Sequence, residues 1–125
     1  MTPNPVRWFE IYVQDMPRAL RFYETVFATK LEQLPTPDGL EMWAFPQSMD
    51  APGAAGTLVQ APEGIVSGGN STLVYFGSED CAVEARRVEA AGGKLYRDKF
   101  SIGPYGFIAL AQDPDGNMFG IHSTQ

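Results

Sequence analysis

Few side chains of this sequence are suited to covalent catalysis or metal binding. His122 is the only histidine and Cys81 the only cysteine among the 125 residues. One histidine without a cysteine cluster leaves few ligands for a transition-metal site. The sequence also has no phosphate-binding glycine loop, nucleophile elbow or paired Ser–His motif. The available chemistry therefore rests mainly on carboxylates and aromatic side chains.

Aromatic residues on predicted strands form the second group of candidates. Aromatic walls suit a flat or cationic ligand, partly through cation–π contacts, although the same residues could simply pack in the core. The candidates for ligand binding are Trp8, Tyr12, Trp43, Tyr75 and Tyr105. Tyr105 belongs to a Gly- and Pro-containing segment, residues 100–106, that could close over a cleft as a lid or form an ordinary turn.

Composition and charge limit the classes of partner. Hydrophobic residues make up 44% and charged residues 19% of the chain, which are globular values. The net charge of −6 offers no basic patch for nucleic acid and disfavours anionic membrane surfaces. The first ten residues lack the features of a signal peptide. We expect a cytoplasmic protein without nucleic acid or membrane as a partner, and the charge leaves cationic or neutral small molecules open as ligands.

The predicted elements follow one order twice. The first copy has a strand at residues 6–13, a helix from the N-cap Asp15 to about residue 28, and three short strands. The second copy has a strand at 71–77, a helix from Ser78 to about residue 91, a short strand at 94–97, a loop at 98–106 and two strands joined by a DPDG turn. Gly-rich residues 61–70 are the predicted linker.

The two copies are related by a shift of 64 positions. This shift relates Glu79 to Asp15 and Gly120 to Gly56, and it relates the Lys-Leu pairs at 94 and 30. We therefore predict one domain over residues 1–125, with one βαβββ module at about 6–60 and another at about 71–123. The expected class is α+β, with the helices on the convex side of a concave mixed sheet whose cleft would take a ligand.

The motif VxDxxRAxxFYxxxF at residues 13–27 and DPDGN at 113–117 identify a family resemblance. The chain resembles the vicinal oxygen chelate superfamily, which includes glyoxalase I, extradiol dioxygenases and bleomycin-resistance proteins, over about residues 6–122. The resemblance implies the same two-module fold and a homodimer. It also implies a divalent metal held by His or Glu side chains on the first and last strands of each half.

None of the positions that the resemblance marks as metal ligands carries a usual ligand. They are Trp8, Gly56, Gly120, and Ser71 or, one residue later, Thr72. The resemblance thus predicts a small-molecule-binding protein that has lost its metal site. We expect no cofactor.

Two alternatives remain open. In the first, Glu10 and His122 hold a shifted divalent metal, or act as a general base and its orienting partner, in a lyase or dioxygenase related to glyoxalase I. They lie two residues from Trp8 and Gly120 and should share their faces. The simpler interpretation is that His122 bonds a backbone carbonyl or Glu10. In the second alternative, the protein sequesters a cationic antibiotic.

Overall fold

The computed structural model describes residues 3–125, which form two helices and eight strands. The elements are β1 Val6–Val13, α1 Met16–Phe27, β2 Glu32–Leu34, β3 Met42–Ala44, β4 Ala55–Gln60, β5 Thr72–Gly77, α2 Cys81–Arg87, β6 Lys94–Ser101, β7 Phe107–Gln112 and β8 Met118–Ser123. This content confirms the α+β class. Neither described helix is long and apolar enough to cross a membrane.

The chain groups into two compact units. The first unit is Trp8–Thr72, and the second comprises residues 3–7 with Leu73–Gln125. Each unit contains one helix and most of four strands, which agrees with the predicted order of elements. Whether the units form the single domain that we expect stays a prediction.

The first unit has the strand order β2-β3-β4-β1, with β1 parallel to β4 and the other pairs antiparallel. One face of these strands packs against α1 through a core of Val13, Met16, Leu31 and Leu58. Because side chains alternate along a strand, every second residue of these strands points away from α1. We call the side facing away from a unit's own helix its open face.

The helix α1 begins where the sequence predicts. Asp15 is the N-cap, and its Oδ1 accepts a hydrogen bond from the backbone N–H of Arg18 at 3.1 Å. Pro17 lies in the first turn, where its missing N–H costs nothing. The helix ends at Phe27 because Ala28 adopts a left-handed conformation with φ 50°.

The second unit has the strand order β5-β8-β7-β6, with β5 parallel to β8. The core around Cys81, Ala85, Ala109 and Ile121 packs α2 against these strands. The N-cap of α2 is Asp80 and not Ser78 as expected, because the Asp80 carboxylate accepts from the Ala82 N–H at 3.0 Å. The Ser78 hydroxyl instead donates to Glu84 Oε1 at 2.6 Å.

Two further boundaries differ from the expected ones. The helix α2 ends at Arg87, and residues 88–92 continue as tight turns such as Ala91 N–H to Val88 O at 3.2 Å. The strand β6 runs to Ser101, although residues 98–101 were expected in a loop. The register against β7 shifts twice, between Leu95 and Arg97 and between Arg97 and Phe100. Pairing with β7 nevertheless continues to Ser101, so the strand is longer than expected.

The DPDG turn between β7 and β8 is held by the Asp113 carboxylate. Its Oδ2 accepts from Asn117 Nδ2, and its Oδ1 from the backbone N–H groups of Asn117 and Asp115, all at 2.9 Å. These hydrogen bonds, that of the Asn117 side chain first, lower the pKa of Asp113 below its ordinary value of 3.8. Gly116 completes the turn with φ 89°.

We expect Asp113→Ala to lower the melting temperature by several degrees at neutral pH, because three donors lose their acceptor. Since the folded pKa lies below the unfolded one, the contribution of Asp113 is present above pH 3.8 and is lost as the pH falls through the folded value. Thermal unfolding at pH 7 and pH 3 measures both effects. Asp115→Ala is the control, and an equal loss in the two variants would contradict the assignment.

Candidate functional site

Glu10 is the best-defined candidate on the open face of the first unit. Trp8, Glu10 and Tyr12 alternate along β1 and therefore share this face. Glu10 is buried, with 8% of its surface exposed. Its Oε2 accepts from Trp8 Nε1 at 3.2 Å and its Oε1 from the Tyr12 hydroxyl at 2.8 Å. An indole and a phenol thus hold both oxygens of a buried carboxylate.

Thr57 lies beside Glu10 on β4 in the parallel register. The residue is completely buried, and its Oγ1 has no hydrogen-bond partner. A buried hydroxyl without a partner costs about 1–3 kcal/mol, so it usually needs an explanation. Thr57 is therefore an unsatisfied buried group beside Glu10, although protein atoms cover its hydroxyl. Sequence reasoning missed it by assigning the neighbouring Gly56 to this position.

His122 lies on the open face of the second unit. Its Nε2 is 2.6 Å from the backbone carbonyl oxygen of Tyr105. Because a carbonyl only accepts, Nε2 carries the proton and donates, which makes Nδ1 of a neutral ring an acceptor. Nδ1 is buried and has no partner. The structure thus gives His122 the backbone-carbonyl bond that was one of the two expected roles.

Buried side-chain polar atoms without partners occur twice in residues 3–125, at Thr57 Oγ1 and His122 Nδ1. Each lies on the open face of its own unit. Buried polar groups are usually satisfied, so these two atoms are exceptions, and protein atoms cover both of them.

Tyr75 covers Gly120 in the second unit. The two residues pair between the parallel strands β5 and β8, and Tyr75 is 5% exposed. A Cβ atom at position 120 would overlap the Tyr75 ring. Only glycine fits at this position while the ring stays where it is, so a carboxylate side chain has no room there.

The register corrects the expected correspondence of Gly56 with Gly120. Gly56 pairs with Phe9 and faces α1, and a Cβ at position 56 would overlap the Phe9 ring. It therefore lies on the opposite face from Trp8. The shift of 64 positions was wrong by one residue at the helices, because the N-caps are residues 15 and 80, which differ by 65.

The shift of 65 gives the counterparts on the first strands, and strand pairing gives those on the last strands, where Thr57 and Gly120 differ by 63 positions. The shift relates Trp8 to Leu73 and Glu10 to Tyr75, so the expected Ser71 or Thr72 is replaced by Leu73. Glu10 pairs with Thr57 as Tyr75 pairs with Gly120, which makes Thr57 the counterpart of Gly120. The first-strand and last-strand positions thus carry Trp8, Thr57, Leu73 and Gly120.

The remaining aromatic candidates lie elsewhere. Trp43 pairs with Leu58 and packs against the α1 core, on the other side of the strands from Glu10. Its Nε1 donates to Glu41 Oε2 at 2.9 Å. Tyr105 is 42% exposed and ends a short 3₁₀ turn that begins at Gly103. Within the first unit, the structure brings Trp8 and Tyr12 together with Glu10.

The described residues offer little to a metal ion. No group of three or more His, Cys, Asp or Glu side chains in residues 3–125 is arranged to hold one. Among the side chains at the corrected positions Trp8, Thr57, Leu73 and Gly120, only that of Thr57 has an oxygen atom. These residues do not fit the divalent metal that the family resemblance implies.

We expect Gly120→Ala to destabilise the protein by about 1–3 kcal/mol, because the added methyl group must displace the Tyr75 ring. Urea unfolding measures the change. Gly69→Ala is a matched control, since its nearest atom, Val66 O, is 3.7 Å away in ordinary contact. Combining Gly120→Ala with Tyr75→Ala should cost less than the sum of the single changes. Additive costs would contradict the overlap.

We expect Glu10→Gln to cost about 1–3 kcal/mol, because an NH2 group in place of one oxygen either faces the Trp8 N–H donor or forces the Tyr12 hydroxyl to accept instead of donating. Glu41→Gln is the matched control, because Trp43 is the one donor to its side chain described above and an amide oxygen can still accept from it. Urea unfolding with near-ultraviolet circular dichroism follows both variants. Equal stability of Glu10→Gln and the unchanged protein would show that the two bonds do not matter.

Comparisons with known proteins agree with the fold. The Glyoxalase/Bleomycin resistance protein/Dioxygenase superfamily profile matches residues 6–121. Methylmalonyl-CoA epimerase of Streptomyces coelicolor, solved in complex with 2-nitronate-propionyl-CoA, superposes with a TM-score of 0.69 at 16% identity, covering 98% of this chain and 99% of that one.

Two further solved structures are similar. Methylmalonyl-CoA epimerase of Mycobacterium tuberculosis has a TM-score of 0.68 at 16% identity and coverages of 97% and 88%. A hypothetical protein of Bacillus halodurans C-125 has a TM-score of 0.70 at 13% identity and coverages of 96% and 94%. No curated protein sequence matches significantly. The structural likenesses show the fold alone, and the profile match over residues 6–121 places this chain in the Glyoxalase/Bleomycin resistance protein/Dioxygenase superfamily.

Proposed function

We propose that this protein binds a small organic molecule without using a metal ion. The observation that carries the proposal is the cover of Gly120 by the Tyr75 ring. The family resemblance marks position 120 for a metal-binding carboxylate, and the ring leaves no space for one. Trp8, Thr57 and Leu73 at the corresponding positions provide no carboxylate or imidazole either.

The hydrogen bonds of Glu10 and His122 favour binding without a metal over the alternative in which these two residues hold a shifted metal ion. Both Glu10 oxygens accept from aromatic side chains, and His122 Nε2 bonds the Tyr105 carbonyl. A metal bound by Glu10 would compete with the indole and phenol donors for the carboxylate oxygens. A metal at His122 would have the unpartnered Nδ1 as its ligand, and the described residues supply no group of acidic or imidazole side chains to complete the set.

The open face of the first unit supplies the means of binding. Trp8 and Tyr12 offer aromatic surface, and both are partly exposed. Thr57 Oγ1 is covered by protein atoms, so the surface that these strands offer to a ligand is that of the two aromatic rings. Glu10 then acts as a fixed anchor that orients the two aromatic rings.

Elemental analysis of protein purified without added metal tests the metal-independent part of the proposal. We expect much less than one metal ion per chain and no change of melting temperature with EDTA. Stoichiometric metal that is lost in Glu10→Ala or His122→Ala would overturn the proposal in favour of the shifted-site enzyme. Glu63→Ala, a change at an exposed residue, is the control.

A thermal-shift screen of small organic molecules tests the binding itself, because a molecule that binds the folded state raises the melting temperature. We expect hits whose shift decreases in Trp8→Ala and in Tyr12→Ala, the two partly exposed aromatic residues of this face. Hits confined to cationic drugs would favour sequestration of a cationic antibiotic. Hits that are unaffected by both variants would contradict the assigned face.

A further inference from the structure

The edge strand β6 presents three residues on one face of the sheet, although in a regular strand one of them would point to the opposite face. Lys94, Arg97 and Phe100 are spaced three apart, so ideal pleating would send Arg97 to the side opposite the other two. The register against β7 shifts between Leu95 and Arg97 and again between Arg97 and Phe100. Each shift is a bulge that turns the next side chain.

These bulges direct all three side chains to the open face of the second unit. Arg97 pairs with Leu110 and Phe100 with Ile108 on β7. Leu110 and Ile108 pair in turn with Gly120 and His122 on β8. The α2 side of the same strands is formed by Ala109 and Ile121. Arg97 and Phe100 therefore share the face that carries Gly120 and His122.

Arg97 is held in place on this face by the ring of Phe100. Its guanidinium carbon lies 3.5 Å from the ring centroid, which is close cation–π stacking. The side chain is exposed. The two ion pairs among residues 3–125 join Lys30 to Glu24 and Lys99 to Asp80, so neither neutralises Arg97.

We propose that Arg97 binds the carboxylate or phosphate end of a small molecule whose apolar part lies against Leu110 and Phe100. This inference rests on the proposed function and names the chemical class of its ligand. A guanidinium presents a planar set of N–H donors that matches both anions. Stacking on Phe100 fixes that plane before binding, which reduces the side-chain entropy lost in the complex.

The charge of the surrounding face agrees with an anionic ligand. Lys94 lies on the same face, paired with Gln112, and adds a second positive charge at the edge strand. The chain as a whole has a net charge of −6, whereas this face carries two positive side chains that no ion pair of the described residues neutralises. Neither has a carboxylate within ion-pair distance among the described residues.

Titration with four hexyl compounds, followed by nuclear magnetic resonance, tests the inference. The probes are hexanoate, hexyl phosphate, hexanamide and hexylamine, which share one chain and differ in the polar end. We expect at least one of the two anions to bind about tenfold more tightly than hexanamide, with shifts centred on Arg97 and Leu110, and to weaken in 0.5 M NaCl. The two anionic arms distinguish a carboxylate from a phosphate ligand.

Variants decide whether Arg97 is the binding group. We expect Arg97→Gln to weaken the anion about tenfold, whereas Arg87→Gln, which removes the same charge from the exposed last turn of α2, should change affinity less than twofold. Phe100→Leu keeps the cation but removes the stacking ring, and we expect a loss of about threefold. Unchanged melting temperatures show that the variants remain folded.

Three outcomes would overturn the inference: no anion binding at 20 mM probe, equal binding of hexanamide or hexylamine, or equal losses in Arg97→Gln and Arg87→Gln. Tight binding of the neutral or cationic probe would leave the proposed function standing while removing the anionic ligand. If no compound in the thermal-shift screen and none of the four probes binds, both the proposed function and the anionic ligand are contradicted.

Discussion

The parallel pairing of the first and last strands in each unit decides which side chains can reach the open face. Side chains alternate along a strand, so a register difference of one residue exchanges the two faces completely. Tyr75 and Gly120 meet in this pairing, as do Glu10 and Thr57. The ring over Gly120 and the carboxylate beside Thr57 both follow from this register, and so does the composition of the candidate site.

Burial of these paired residues determines how much their hydrogen bonds contribute to stability. The Glu10 carboxylate is nearly out of contact with water and would be costly without the two donors that it receives from Trp8 and Tyr12. Thr57 Oγ1 and His122 Nδ1 lack such partners. The open face of the first unit therefore combines a satisfied carboxylate, which fixes two aromatic rings, with a buried hydroxyl that has no partner.

The second unit uses strand irregularity for a different purpose. Two bulges in β6 rotate Arg97 onto the ring of Phe100 and away from the alternation of a regular strand. Irregular strands cost hydrogen bonds in the ladder, and the anion site that we propose would account for two bulges that aim a cation at an open face. In both units a charged side chain thus contacts aromatic rings: Glu10 holds two of them, and Arg97 stacks on one.

The sequence alone determined the elements whose signals are local. Asp15 as a cap predicted the start of α1, and alternation predicted β1 and placed Trp8, Glu10 and Tyr12 on one face. Only the tertiary structure decided the partners across strands, because register depends on residues far apart in the chain. It replaced Gly56 by Thr57, assigned Trp43 to the α1 core and gave His122 its backbone partner. The bulges that turn Arg97 left no mark in the pattern of residues, since they arise from pairing with β7.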